Sequence, residues 1–93
     1  MKTASIQIGN GDDKLTQSAW HDFVAEMEGL VDRHCAECHF FGGPENWRDQ
    51  QNVAFIFNID DAAMHDLKPA VSNLRKQFGQ ESVAWAEGET FFL

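Results

Sequence analysis

Hydrophobic and polar residues alternate at the start of the chain and then change to a helical spacing. Ala4, Ile6 and Ile8 alternate with Ser5 and Gln7, which predicts a strand with one apolar face. After a break rich in Gly and Asp, apolar residues recur three and four positions apart, which predicts a long amphipathic helix. The apolar side of this helix is formed by Trp20, Phe23, Val24, Met27, Leu30 and Val31.

The middle of the chain contains two further predicted strands. Residues 36–41 are apolar and aromatic, and a Gly-Gly-Pro turn follows them. In residues 53–59 the apolar side chains occupy both sides of the strand. Those on one side are Val53, Phe55, Phe57 and Ile59, and those on the other are Ala54 and Ile56. A strand that is apolar on both sides is expected to be covered on both sides.

A second helix and a last strand complete the pattern. Asp60 and Asp61 are predicted to cap the helix, whose buried face is formed by Leu67, Val71, Leu74 and Phe78. Pro69 predicts either a helix that begins near Asp66 or a kink in a longer helix. Residues 82–93 predict the last strand, with a bulge or bend at residues 87–89.

The order of these elements predicts an α+β fold. Strand-helix-strand-strand-helix-strand is the order of the ferredoxin-like split β-α-β sandwich, in which two helices cover one face of a four-stranded antiparallel sheet. We therefore expect residues 1–93 to form one such domain, with the first and third strands in the centre of the sheet. Ile56 then lies on the face without helices, with Phe41 and with Phe91 or Phe92 as neighbours.

An apolar patch on the uncovered face of the sheet has a further consequence. Such patches usually mark an interface or a pocket, because exposing them is costly for a monomer. We therefore expect the chain to form a homodimer through this face. A dimeric α+β barrel, with a ligand cavity between two sheets, is one assembly of this kind.

Two segments resemble a known group of proteins. Residues 15–24 (Leu-Thr-Gln-Ser-Ala-Trp-His-Asp-Phe-Val) open the first helix, and residues 78–84 (Phe-Gly-Gln-Glu-Ser-Val-Ala) connect the second helix to the last strand. Both resemble uncharacterised bacterial domains of the ferredoxin-like type, which also occur as orphan products of mobile elements and phages. The resemblance implies a fold and carries no activity with it, because one fold hosts many functions.

Composition narrows the range of partners. The chain has fifteen acidic and seven basic residues, a net charge of −8, and its Lys and Arg are scattered. Because phosphate binding needs clustered basic side chains, we expect no direct nucleic-acid binding. The first residues lack the apolar run of a signal peptide, and no stretch is long and apolar enough to span a membrane. We therefore predict a cytoplasmic protein without membrane contact.

Residues 34–39 hold the densest set of metal-ligand side chains, which are His34, Cys35, Cys38 and His39. Cys35-x-x-Cys38-His39 matches the attachment pattern of c-type haem, and the same side chains suit zinc or iron. Haem of this type is attached in an exported compartment, whereas no signal sequence is present. In a strand that begins at residue 35 or 36, the two cysteines would point to opposite faces. We therefore expect reduced structural thiols and no metal or cofactor.

The loop 42–51 and one histidine are the other candidate functional residues. Trp47 and Arg48 are residue types enriched at binding hot spots, so we predict that this loop contacts a protein or small-molecule partner. The alternative is that Trp47 folds back over the end of the core. His39 is the best-placed general base for an enzymatic function, although a hydrogen-bonded structural role is more common for such a residue.

Three functions are compatible with these features. The first is a noncatalytic homodimeric binding module that uses the open sheet face and the loop 42–51. The second is a small cofactor-free enzyme or small-molecule binder with a pocket near His39. The third is an acidic inhibitor that imitates nucleic acid, based on the carboxylates Asp22, Glu26, Glu28 and Asp32 on the outer side of the first helix. Ordinary solvation is the more common reason for such a charged helix side.

Overall fold

The computed structural model describes residues 1–11, 14–43 and 51–93. The elements in these ranges are the strand β1 (Lys2–Gly9), the helix α1 (Gln17–His34), the strands β2 (Glu37–Gly42) and β3 (Asn52–Ile59), the helix α2 (Asp61–Gln77) and the strand β4 (Ala84–Glu89). The predicted element order and the α+β ferredoxin-like fold class are confirmed. No helix in the described ranges is long and apolar enough to cross a membrane.

The four strands form one antiparallel sheet in the order β2-β3-β1-β4, so β1 and β3 are central as predicted. The core lies between this sheet and the two helices. Alternation in β1 and β3 turns every second side chain toward the helices, and the apolar stripes of α1 and α2 meet them. The largest fully buried side chains of this core are Trp20, Phe23, Phe55, Phe57, Ile6, Met27, Ile59, Leu67, Val31 and Val53.

A side-chain oxygen caps each of the two helices at its N-terminus. Thr16 Oγ1 accepts a hydrogen bond from the backbone N–H of Ala19 at 3.1 Å, and Asp60 Oδ1 accepts one from that of Ala63 at 2.8 Å. Such caps satisfy backbone donors that have no partner within the helix. Because Asp60 caps α2, the helix begins at Asp61, and the alternative start near Asp66 is wrong. Pro69 lies in the helix interior.

The last strand is shorter and more regular than the sequence indicated. β4 pairs with β1 without a register shift, and Gly88 stands directly opposite Thr3. The predicted bulge at residues 87–89 is therefore wrong. The strand ends at Glu89 rather than continuing to Leu93, because Glu89 pairs with Lys2, the first residue of β1. Residues after Glu89 have no further residue of β1 to pair with.

Candidate functional site

The sheet face without helices presents three rows of side chains that run across all four strands. Residues paired across antiparallel strands share a face, so the rows follow from the register. The middle row is Phe40, Ile56, Ser5 and Ala86; the rows on either side are Gly42, Ala54, Gln7 and Ala84, and Glu37, Asn58, Thr3 and Gly88. We call these twelve residues the open face.

Two large apolar side chains stand out from this surface. Ile56 is 36% exposed and Phe40 is 44% exposed, and they are paired neighbours in the middle row. The positions around them are small or neutral, and no Lys or Arg is among the twelve residues. Glu37 is the single carboxylate of the set. The open face is therefore nearly uncharged in a chain whose net charge is −8.

The prediction that Ile56 lies on the open face is confirmed, because its neighbours Phe55 and Phe57 are buried on the other side of the strand. The prediction that Phe41 also lies on the open face is wrong. Phe41 pairs with Phe55 on the helix side, and the two ring centroids are 4.9 Å apart. The cause is a register shift between Cys38 and Phe40, which leaves His39 as an extra residue in β2. Such a bulge changes the alternation of the strand. Phe40 therefore takes the outward position that the unbroken pattern gave to Phe41.

The candidate base His39 has an exposed side chain at this bulge. Bulges are often found beside active sites, where they redirect a side chain. Two clefts formed by the described residues lie elsewhere, one between α1 and α2 and one between α2 and β4, and His39 lines neither of them. The pocket predicted near His39 is thus not one of these two clefts.

Polar contacts fix one end of the open face. Thr3 Oγ1 lies 3.2 Å from Asn58 Oδ1, and the same hydroxyl is hydrogen-bonded to the hydroxyl of Thr90. Thr90 comes directly after β4, so these bonds hold the start of the final segment beside the sheet. The side chains that follow, Phe91 and Phe92, are 79% and 88% exposed. Three adjacent apolar residues, Phe91, Phe92 and Leu93, are therefore exposed directly after the residue that is bonded to one end of the open face.

The cysteines and histidines of residues 34–39 are distributed over a helix end and a strand. Cys35 is the C-cap residue of α1 and packs against the core, while Cys38 is exposed in β2, and both are free thiols. Cys35 thus lies at the junction between the helix and the strand, and β2 begins at Glu37, just after the two starts considered at residues 35 and 36. His34 Nδ1 is hydrogen-bonded to the Leu30 carbonyl at 2.8 Å. Among the described residues no group of three or more His, Cys, Asp or Glu is placed to hold a metal ion.

The two thiols differ in their surroundings. Partial burial raises the pKa of the Cys35 thiol, and the neighbouring Cys38 and Asp32 raise the pKa further. A raised pKa lowers the thiolate fraction at neutral pH, and the thiolate is the reactive form. The position of Cys35 at a helix C-terminus agrees with this direction, since the negative end of the helix dipole disfavours an anion.

We expect iodoacetamide at neutral pH to modify Cys38 several-fold faster than Cys35, because Cys38 is accessible and Cys35 is partly buried with a raised pKa. Time-resolved mass spectrometry of the single variants Cys35→Ser and Cys38→Ser measures each rate in the absence of the other thiol. The model peptide Ala-Cys-Ala supplies the rate of an unhindered thiol. Equal rates at the two positions would contradict this reading of the site.

The remaining predicted positions fall into two groups. Trp47 and Arg48 lie outside the described residues. On α1, the side chains of Asp22, Glu26 and Asp32 are exposed and that of Glu28 is half-buried. A solvated helix side and a surface that imitates nucleic acid both require exposed carboxylates. The exposure of these side chains therefore does not distinguish the two interpretations.

Sequence reasoning missed one group of residues in the cleft between α2 and β4. Lys68 and Arg75 line it from the helix, and Trp85 lines it from the strand. The spacing of seven residues places Lys68 and Arg75 on the same side of α2. That spacing is a signal in the sequence, but it does not indicate that Trp85, ten residues after Arg75, lies opposite them.

Comparison with solved structures identifies similar folds. A protein from Deinococcus radiodurans, described as a candidate antibiotic biosynthesis monooxygenase, matches with a TM-score of 0.66 and 10% identity, over 100% of this chain and 95% of that one. The hydroxynitrile lyase from Passiflora edulis matches with a TM-score of 0.52 and 18% identity, over 97% of this chain and 96% of that one. At these identities the likeness shows the fold alone. No family model and no curated protein matches the sequence.

Proposed function

We propose that the chain is a noncatalytic binding module that forms a homodimer through its open face. The observation that carries this proposal is the pair Phe40 and Ile56, exposed side by side in the middle of a nearly uncharged surface. Exposed apolar side chains on such a surface favour an interface over solvent, since burial removes apolar area from water. The occupant that we propose is a second copy of the chain.

Charge and side-chain size support a second copy as the partner. Two chains with a net charge of −8 repel each other, so close association is favoured where few carboxylates face the partner. The open face meets that requirement, because its single carboxylate is Glu37 on the edge strand β2. Its small residues, such as Ala54, Ala86 and Gly88, allow two sheets to approach the usual packing distance of about 10 Å. A two-fold axis would bring the same patch of each copy together.

The segment after β4 extends the proposed interface. Thr90 is hydrogen-bonded to Thr3 at one end of the open face, so Phe91 and Phe92 project from the border of the surface that the partner would cover. Burying these two rings against the partner would remove most of their exposed area from water.

Two further parts of the proposal come from the sequence alone. We propose that the protein is cytoplasmic and that Trp47 and Arg48 contact a protein or small-molecule ligand.

The experiment that tests the proposal is sedimentation velocity of the purified chain over a series of micromolar concentrations. We expect a species with twice the 10.5 kDa mass of one chain, in a concentration-dependent equilibrium with the monomer. Repeating the series at high salt should strengthen association, because salt screens the repulsion between two acidic chains. A monomer at every concentration and salt level would contradict the proposal.

A second candidate is a small cofactor-free enzyme or small-molecule binder in a dimeric α+β barrel. Two observations favour it: the fold resembles those of a candidate monooxygenase and a lyase, and His39 stands at a bulge beside the open face. In this candidate His39 would transfer protons in a cavity formed only when two sheets meet. A structure of the dimer with such a cavity next to His39 would favour the enzyme, and flat packing of the sheets would favour the binding module.

A further inference from the structure

The cleft between α2 and β4 has the size of a small-molecule site. Its volume is about 490 Å³, within the range of about 300–1,000 Å³ that is usual for ligand pockets. It lies on the helix side of the sheet, because Trp85 pairs with the buried Ile6. The residues that line it are Lys68, Val71, Ser72, Arg75, Glu81, Ser82, Val83 and Trp85.

Arg75 is fixed in this cleft by the chain itself. Its Nη1 donates hydrogen bonds to the backbone carbonyls of Gln80 at 2.8 Å and Glu81 at 2.9 Å. These bonds hold the guanidinium plane in place and leave the edge formed by Nε and Nη2 without a partner among the described residues. A guanidinium edge with two parallel donors matches a carboxylate in bidentate geometry.

Nearby charges leave Arg75 as the cation available in the cleft. The Lys68 ammonium already has an ion-pair partner in the Glu87 carboxylate, which also lies 3.7 Å from the Lys2 ammonium. The side chain of Glu81 is 87% exposed, and its carboxylate lies 3.3 Å from the Lys14 ammonium rather than against Arg75. A ligand anion at Arg75 would therefore displace no existing ion pair within the described residues.

The opposite wall of the cleft is apolar and held in position. Trp85 Nε1 donates a 3.0 Å hydrogen bond to Glu87, and the Lys68 ammonium lies 5.3 Å from the centre of the indole ring. These contacts orient a half-buried aromatic ring toward the cleft, where Val83 continues the apolar surface. The hydroxyls of Ser72 and Ser82 add polar groups at the border of this surface.

We propose that this cleft binds small organic monocarboxylates. The carboxylate would lie against the Nε and Nη2 edge of Arg75, and an aliphatic or aromatic body would cover Val83 and the Trp85 ring. An apolar wall with one oriented cation is the composition that selects such ligands, because the body gains from burial and the charge from bidentate hydrogen bonding. The site is on the opposite side of the sheet from the open face, so it does not depend on dimerisation.

Titration of the ¹⁵N-labelled protein with 4-phenylbutyrate, followed by amide and indole N–H chemical shifts, tests this proposal. We expect saturable shifts at residues 71–75 and 82–85 and at the Trp85 indole, with a dissociation constant on the order of 1 mM or tighter. The uncharged methyl ester of the same acid should bind roughly tenfold more weakly, because it cannot accept a charge-assisted bidentate pair. This comparison needs no substitution in the protein.

Variants separate Arg75 from the general charge of the chain. Arg75→Gln should weaken 4-phenylbutyrate binding roughly tenfold or more, and Arg75→Lys should weaken it less, because Lys keeps the charge and loses the fork. Arg33→Gln removes one positive charge from the other cleft, between α1 and α2, and should leave binding unchanged. Shifts that do not saturate or that lie outside the cleft would overturn the proposal, as would an ester that binds like the acid or equal losses in Arg75→Gln and Arg33→Gln.

Discussion

Substituting Ile56 with Glu is expected to convert the proposed dimer into monomers. In the isolated chain Ile56 is 36% exposed, so the part still to be buried is worth about 1 kcal/mol per copy. The larger effect is that Ile56→Glu would place two unpaired carboxylates in the interface, and desolvating each costs several kcal/mol. Sedimentation should therefore show dimerisation weakened by at least about 100-fold.

The matched control for this variant is His65→Glu. His65 is exposed on α2, away from the open face, and the substitution likewise introduces one carboxylate. The dimer should persist in His65→Glu, and circular dichroism should show that both variants are folded. If Ile56→Glu stays dimeric, or if both variants dissociate equally, the open face is not the contact surface.

The second large effect is expected at Trp20, whose side chain is fully buried at the start of α1. Its ring lies against Phe23, with centroids 6.3 Å apart, and Phe23 in turn packs on Phe78. Replacing such a side chain with Ala leaves a large cavity and usually costs about 3–5 kcal/mol. Since small domains are stable by only about 5–15 kcal/mol, Trp20→Ala should remove much of the free energy of unfolding.

A different result is expected for Trp20→Phe. The buried Nε1 of Trp20 has no hydrogen-bond partner among the described residues, and leaving such a donor unsatisfied costs about 1–3 kcal/mol. Phe removes the donor while it keeps an aromatic ring, so the loss of volume and the removal of the unsatisfied group offset each other. We expect the free energy of unfolding of Trp20→Phe to stay within about 1 kcal/mol of the original chain.

Urea unfolding followed by circular dichroism, at one fixed protein concentration, measures both Trp20 variants. Trp85→Phe is the matched control, because the Trp85 indole does have a partner and donates to Glu87. The control should lose a partly exposed hydrogen bond and little else. A Trp20→Phe variant as unstable as Trp20→Ala would show that the indole makes a specific interaction in the core.

The proposed functions place the activity of the chain on two sides of one sheet. The open face would provide assembly, and the cleft between α2 and β4 would provide a ligand site that remains accessible in the dimer. The core between the central strands and the two helices is filled by large side chains such as Trp20, Phe23, Phe55 and Phe57, all less than 2% exposed.

The directions of Ile56 and Phe41 differ in how far the sequence predicts them. Ile56 was predictable as an outward residue, because strict alternation in β3 fixes its side once Phe55 and Phe57 are in the core. The inward direction of Phe41 was not predictable, because His39 becomes an extra residue only through the pairing of β2 with β3. Alternation within β2 alone does not reveal that extra residue. The end of β4 at Glu89 likewise depends on the length of β1.

The burial of a polar residue, Asn10, was likewise not predictable from the sequence. Asn10 is fully buried, and its side chain bonds both the carbonyl and the N–H of Leu15, each at 2.9 Å. Its backbone N–H bonds the Gln51 carbonyl at 2.8 Å, which ties the turn after β1 to the start of β3. The sequence Gly9-Asn10-Gly11 predicts a turn from local preferences, but the burial of Asn10 results from contacts with residues far along the chain.

By itself the sequence determined the order of the elements, the apolar sides of both helices, the central position of β1 and β3, and the outward direction of Ile56. These follow from periodicity, which is a local property of the backbone. The tertiary structure decided the bulge at His39, the replacement of Phe41 by Phe40 on the open face, and the meeting of Arg75 with Trp85. Each of these depends on the register or packing between separate elements, and a spacing within one element does not contain that information.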